Sequence, residues 1–205
     1  MSDCHDHACS VDALHQRQRG TLWAVLIINF LMFFVIATAA LYGKSTALLS
    51  DSLDYLGDAL TYILSLYAVS KGIKVKVRVA LFKGVLIFIA ACVVLAQIIS
   101  RLIEPVIPVY EVMGGFSLLG VVANGFCLYL LWRHRHEDVN MSSVWECSRN
   151  DIAVNLSVFV AAAGVWLMES GWPDIIVASC LVVLLLRSAI RVMKSAWTEL
   201  HISTC

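Results

Sequence analysis

The sequence predicts an all-α membrane protein with six transmembrane helices and cytoplasmic N and C termini. Three observations carry that reading. Of the 205 residues, 60% are hydrophobic and 15% charged, and the mean hydropathy of +0.82 lies far from that of an ordinary soluble domain. The apolar residues fall into six segments, each near the roughly 20 residues that cross a bilayer as a helix. Finally, Arg17, Arg19, Lys71, Lys74, Lys76, Arg78, Lys83, Arg133, Arg135, Arg191 and Lys194 fall on one side of that layout, with only Lys44 and Arg101 on the other, which puts both ends of the chain in the cytoplasm. The 15 basic and 15 acidic residues cancel, so net charge gives no reason to expect a nucleic-acid partner. The partner expected on composition is the lipid bilayer.

Residues 1–20 form a polar tail containing Cys4, His5, His7, Cys9 and His15. Thiolate and imidazole donors at this density suit zinc or cadmium, but the spacing matches no closed zinc module. Two readings stay open, a loose metal-collecting tail and a disordered terminus with incidental ligands. No charged region followed by an apolar stretch precedes the first span, so no cleaved signal peptide is expected. The spans are placed at about 22–43, 47–70, 82–103, 112–132, 147–168 and 174–192, inside a transport domain of residues 21–193. Short joints with Gly, Pro or charge separate them, and residues 194–205 form a short cytoplasmic tail too small for a core of its own.

The second span is the unusual one. Asp51, Asp54 and Asp58 interrupt an otherwise apolar run, and at 3.6 residues per turn they lie along one face, with Asp54 and Asp58 stacked one turn apart. Each ionised Asp near mid-bilayer costs roughly 2.5–3.5 kcal/mol on insertion scales, so something cationic should meet them. A divalent metal ion, protons, or a basic residue such as Arg149 would each serve. Asp51 is assigned to lining a vestibule or capping a neighbour.

In the third and fourth spans Cys92 and Cys127, like Cys180 in the sixth, read as small hydrophobes. Seven cysteines without the spacing of a secreted scaffold are expected to be reduced thiols. Asn29, Gln97, Asn124 and Asn155 read as hydrogen-bonding contacts between helices. The joint after the fourth span carries His134 and His136 on the same side as the Cys/His tail, where both sets would serve as accessory metal ligands at an entrance. The fifth span opens with Cys147 and Asp151, again one turn apart. Two helices with two stacked donors each make a four-ligand site of three carboxylates and one thiolate, chemically reasonable for zinc or cadmium and still open to iron(II), cobalt or manganese.

Two stretches, Ser45-Thr46-Ala47-Leu48-Leu49-Ser50-Asp51-Ser52-Leu53-Asp54 to Asp58 and His136-Glu137-Asp138-Val139-Asn140-Met141 through Asp151, resemble the cation diffusion facilitator family of metal/proton antiporters. The resemblance implies a transport site on helices two and five, usually His-x-x-x-Asp or Asp-x-x-x-Asp on each. That pattern makes Asp54, Asp58, Cys147 and Asp151 the ligands, with a metal ion and protons as the transported substrates, and the thiolate in that donor set favours Zn²⁺ or Cd²⁺ as the metal. Cys147 stands where His or Asp is usual, Glu146 and Arg149 replace small or apolar neighbours, and the basic stretch Lys71 to Lys83 lacks the usual acidic residue. The cytoplasmic domain common after helix six is not expected here. The resemblance also implies a homodimer, here through membrane helices, for which Gly114, Gly115, Gly120 and Gly125 or Ala90 and Ala91 are candidates. A metal-binding sensor without transport is the rival reading. An enzyme fits poorly, because no Ser/His/Asp or H-E-x-x-H arrangement occurs and four protein ligands leave no open position for water.

Overall fold

The computed structural model describes residues 3–68, 73–132 and 139–202, with side chains described over 19–63, 66, 81–82, 84–132, 145, 148–191 and 193–194. These residues form six helices: α1 (Asp3–Gly43), α2 (Thr46–Ala68), α3 (Ile73–Ile103), α4 (Tyr110–Trp132), α5 (Val139–Met168) and α6 (Trp172–Ile202). Five of them are long and apolar enough to cross a membrane. The remaining one, α2, has 23 residues, about 35 Å at 1.5 Å per residue, and is set apart by its three carboxylates. Outward-facing residues such as Leu31, Val122, Val160 and Leu167 are exposed and apolar, as expected of a surface solvated by lipid.

Helices α3 and α6 pair, as do α4 and α5 and α1 and α2, while α2 also packs against α3, α5 and α6. It is therefore the hub of the bundle. Two apolar clusters fill the interior. The larger draws on all six helices, including Ile36, Leu48, Val94, Met113, Val158 and Ala178, and the smaller joins Val25, Ala59, Tyr62, Cys127 and Leu131. Cys127 is thus a small core hydrophobe, as read from sequence, and Cys92 and Cys180 are exposed free thiols. Between the two clusters the contributing helices carry buried polar groups: Asn29 on α1, Asn124 on α4 and Asn155 on α5.

The joint between α1 and α2 is built from local signals. Lys44 takes a left-handed conformation (φ 53°), and the Ser45 N–H donates to Ala40 O at 3.0 Å, closing the C-terminus of α1. Ser45 then caps α2, its Oγ accepting the Leu48 N–H at 3.0 Å. A residue far along the chain completes that cap. The Asp174 carboxylate accepts the Ser45 hydroxyl at 2.6 Å and the Thr46 and Ala47 N–H groups at 2.8 and 3.0 Å, so the start of α6 is bound to the start of α2. Asp174→Ala would leave two buried helix-end donors without an acceptor and is expected to destabilise the protein by about 2 kcal/mol, the upper range for loss of a cap. Thermal unfolding in detergent measures it, and an unchanged midpoint would contradict this role.

Two expectations need correction. Gly120 is not available to a second subunit, because a side chain there would overlap Asn155 and come within 2.9 Å of the Tyr55 hydroxyl, and Ala91 is likewise fully buried inside the protomer. Gly115 and Gly125 face open space. The polar joints at the basic ends are also shorter than read, because α3 already begins at Ile73, α5 at Val139, and α1 reaches back to Asp3 through the Cys/His segment.

Candidate metal site

A partly open cavity of about 180 Å³ lies between α2, α5 and α6, room for roughly six waters at about 30 Å³ each. Asp54 from α2 and Asp151 from α5 both line it, with Ser50, Asn150 and Ser188 as further polar groups and Val154, Leu181 and Leu185 as apolar wall. Two carboxylates in one small cavity of an apolar bundle oppose each other's ionisation unless a cation or proton sits between them. The cavity therefore has the chemistry of a cation site.

A polar hub sits beside it. Tyr55 is 3% exposed and donates its hydroxyl to Gly120 O at 3.3 Å, while accepting from Asn124 Nδ2 at 3.1 Å and Asn155 Nδ2 at 3.4 Å. Asn155 Nδ2 also donates to the Asp151 carbonyl at 3.0 Å. One phenol thus ties α2 to α4 and α5, and through Asn155 it reaches the backbone that presents Asp151. Asn124 and Asn155 are interhelical contacts, as read from sequence, but their common partner was not foreseen. A tyrosine in an apolar run reads as packing, and only a hydroxyl surrounded by buried amides reveals the second role.

The remaining candidates are placed as follows. Asp58 lies one turn beyond Asp54 and does not line the cavity. It accepts the Tyr62 hydroxyl at 3.4 Å. Cys147 is one turn before Asp151 in α5, and its side chain lies outside the described residues, as do those of Cys4, His5, His7 and Cys9 in the first part of α1. His134 and His136 lie outside the described residues altogether. Among the described residues, no three His, Cys, Asp or Glu side chains come together as a metal cage. Asp51 is 1% exposed and its Oδ2 has no hydrogen-bond partner, so it is enclosed in the core instead of lining an open vestibule. Arg149 is exposed, with its guanidinium 5.4 Å from the Trp145 ring centroid.

A bundle with a lipid-facing exterior and acidic groups from two helices around one cavity defines a multi-pass membrane protein that handles cations. The chain belongs to the cation diffusion facilitator family: the model of the cation efflux transmembrane domain matches residues 22–201. It is a cation transporter and not an enzyme. No match was found among curated proteins.

Proposed function

We propose that the protein exports a divalent transition metal, zinc or cadmium, from the cytoplasm in exchange for protons, with Asp54, Asp58, Cys147 and Asp151 as the ligands. The observation that supports this best is that Asp54 and Asp151, from different helices, line one cavity. Asp58 is one helical turn, about 6 Å of rise, from Asp54, and Cys147 is the same distance from Asp151. The metal-loaded site would draw these two in around the ion. Carboxylates and a thiolate bind metal only when deprotonated, so proton and metal compete for the same atoms. Protons arriving from outside release the metal, and deprotonation toward the cytoplasm restores the site. The basic ends of the helices give the orientation, with the Lys44 end outside.

Proteoliposomes with an imposed pH gradient test this directly, using zinc, cadmium, cobalt, iron(II) and manganese in one flux assay. Flux of zinc or cadmium that collapses with the gradient is expected. Binding without flux would favour a sensor. The thiolate sets the metal preference, because soft sulfur favours polarizable ions. Cys147→His is therefore expected to keep zinc flux and to weaken cadmium relative to zinc, whereas normal flux of both ions in Cys147→Ala would remove Cys147 from the ligand set.

A further inference from the structure

The first turns of α2 hold more oxygen than a packed helix needs. Thr46, Ser50, Asp54 and Asp58 follow one another at intervals of four residues, a single row along the helix with about 6 Å between successive members. Asp54 and Ser50 line the cavity. Beyond Ser50 the row continues to Thr46 and ends at Asp174, whose carboxylate binds the Thr46 N–H.

Two members of the row, Thr46 and Ser50, are buried with hydroxyls that do no bonding in this state. Thr46 is 0% and Ser50 1% exposed, and neither Thr46 Oγ1 nor Ser50 Oγ has a hydrogen-bond partner. The Thr46 hydroxyl lies beside the Asp174 carboxylate. Asp51 Oδ2, next to Ser50 in the chain, is also buried without a partner. Buried hydroxyls left without partners cost free energy, and helix serines and threonines ordinarily avoid that by bonding back to a carbonyl one turn earlier. Ser52, Thr61, Ser157 and Ser179 all bond back in this way to a carbonyl three or four residues earlier. Ser50 does not, and Thr46, as the first residue of α2, has no carbonyl of its own helix to bond back to.

We propose that the seam between α2 and α6 is the outward route of the transported cation, with the Ser50 and Thr46 hydroxyls as successive oxygen contacts and the Asp174 clasp as its closed outer end. Hard and borderline cations shed water only where other oxygens replace it. A row of oxygens at one-turn spacing supplies that replacement stepwise between the cavity and the helix end. In the state seen here the clasp holds the two helix ends together. Parting of α2 from α6 would release the Ser45, Thr46 and Ala47 donors to water and free the Asp174 carboxylate to meet the departing ion. This route rests on the cavity being the metal site.

Thr46→Val and Ser50→Ala test it. Each removes an oxygen that bonds to nothing in this state, and valine keeps the shape of threonine, so thermal stability should not fall. Equilibrium zinc affinity, measured by calorimetry on the purified full chain, should be unchanged in Thr46→Val. Maximal zinc flux in proteoliposomes should fall by at least roughly tenfold in each variant, equivalent to about 1.4 kcal/mol on the barrier to release. Full flux in both variants overturns the route, as does a loss of zinc affinity in Thr46→Val equal to its loss of flux. Asp54→Ala in the same two assays separates the premise from the proposal. Loss of binding there with full flux in Thr46→Val and Ser50→Ala rejects the route alone, whereas retained binding in Asp54→Ala rejects the cavity site and the route with it.

Discussion

Asp54→Ala and Asp151→Ala are each expected to reduce metal flux by about 100-fold or more, with folded protein still present in the membrane. Loss of a partner one shell out from a metal typically costs 10- to 100-fold in affinity, and removal of a ligand itself should do no less. The two residues sit on different helices and line the same cavity, so matching losses from both would tie α2 and α5 to one site. Neither change should unfold the bundle, because each removes a carboxylate from a lined cavity and not a filled core position. Flux assays on reconstituted protein, paired with size-exclusion profiles, measure both parts. Undiminished flux in either variant would exclude that carboxylate from the transport site.

Gly120→Ala is expected to destabilise the protein by about 2 kcal/mol, within the range for forcing an extra group into a packed interior, and to lower flux as well. The added methyl would collide with the Asn155 side-chain amide and approach the Tyr55 hydroxyl at 2.9 Å. Asn155 cannot simply swing away, since its Nδ2 is bonded to both the Asp151 carbonyl and Tyr55. Displacing it would loosen the contact that joins α2 and α4 to the backbone presenting Asp151. Gly125→Ala is the control, because nothing lies within 4 Å of a side chain there. It should be neutral or stabilising by up to about 1 kcal/mol through helix propensity. Equal unfolding midpoints for both variants would show that the contact at Gly120 is not a tight one.

Expected ends at residues 43, 103 and 168, on the side with few basic residues, coincide with the ends of α1, α3 and α5, and the expected end at 132, where Arg133 follows, coincides with the end of α4. The helices α1, α3 and α5 begin well before their apolar spans, because hydropathy reports the stretch that suits a bilayer, whereas helical hydrogen bonding continues through polar residues such as those of 73–81. Asp54 and Asp151 were legible because charge inside an apolar run has few structural uses. Tyr55, Gly120 and Asp174 were not. A buried tyrosine, a membrane glycine and an acid at a joint each have common roles, and only the fold shows that the first two meet at one hydroxyl and that the third closes a helix 128 residues away.

That last bond orders the chain in time as well as in space. The second helix to leave the ribosome carries three carboxylates and an amino end that Ser45 caps only in part, and the rest of its cap is delivered by the sixth. Until Asp174 emerges, α2 has only its own Ser45 to close that end and only neighbours already made to shield its charge. Its residence in the bilayer is therefore completed late, by a contact of very long sequence separation, the kind that makes assembly slow. The least lipid-soluble helix becomes the centre of the bundle only when the rest of the protein has been synthesised around it.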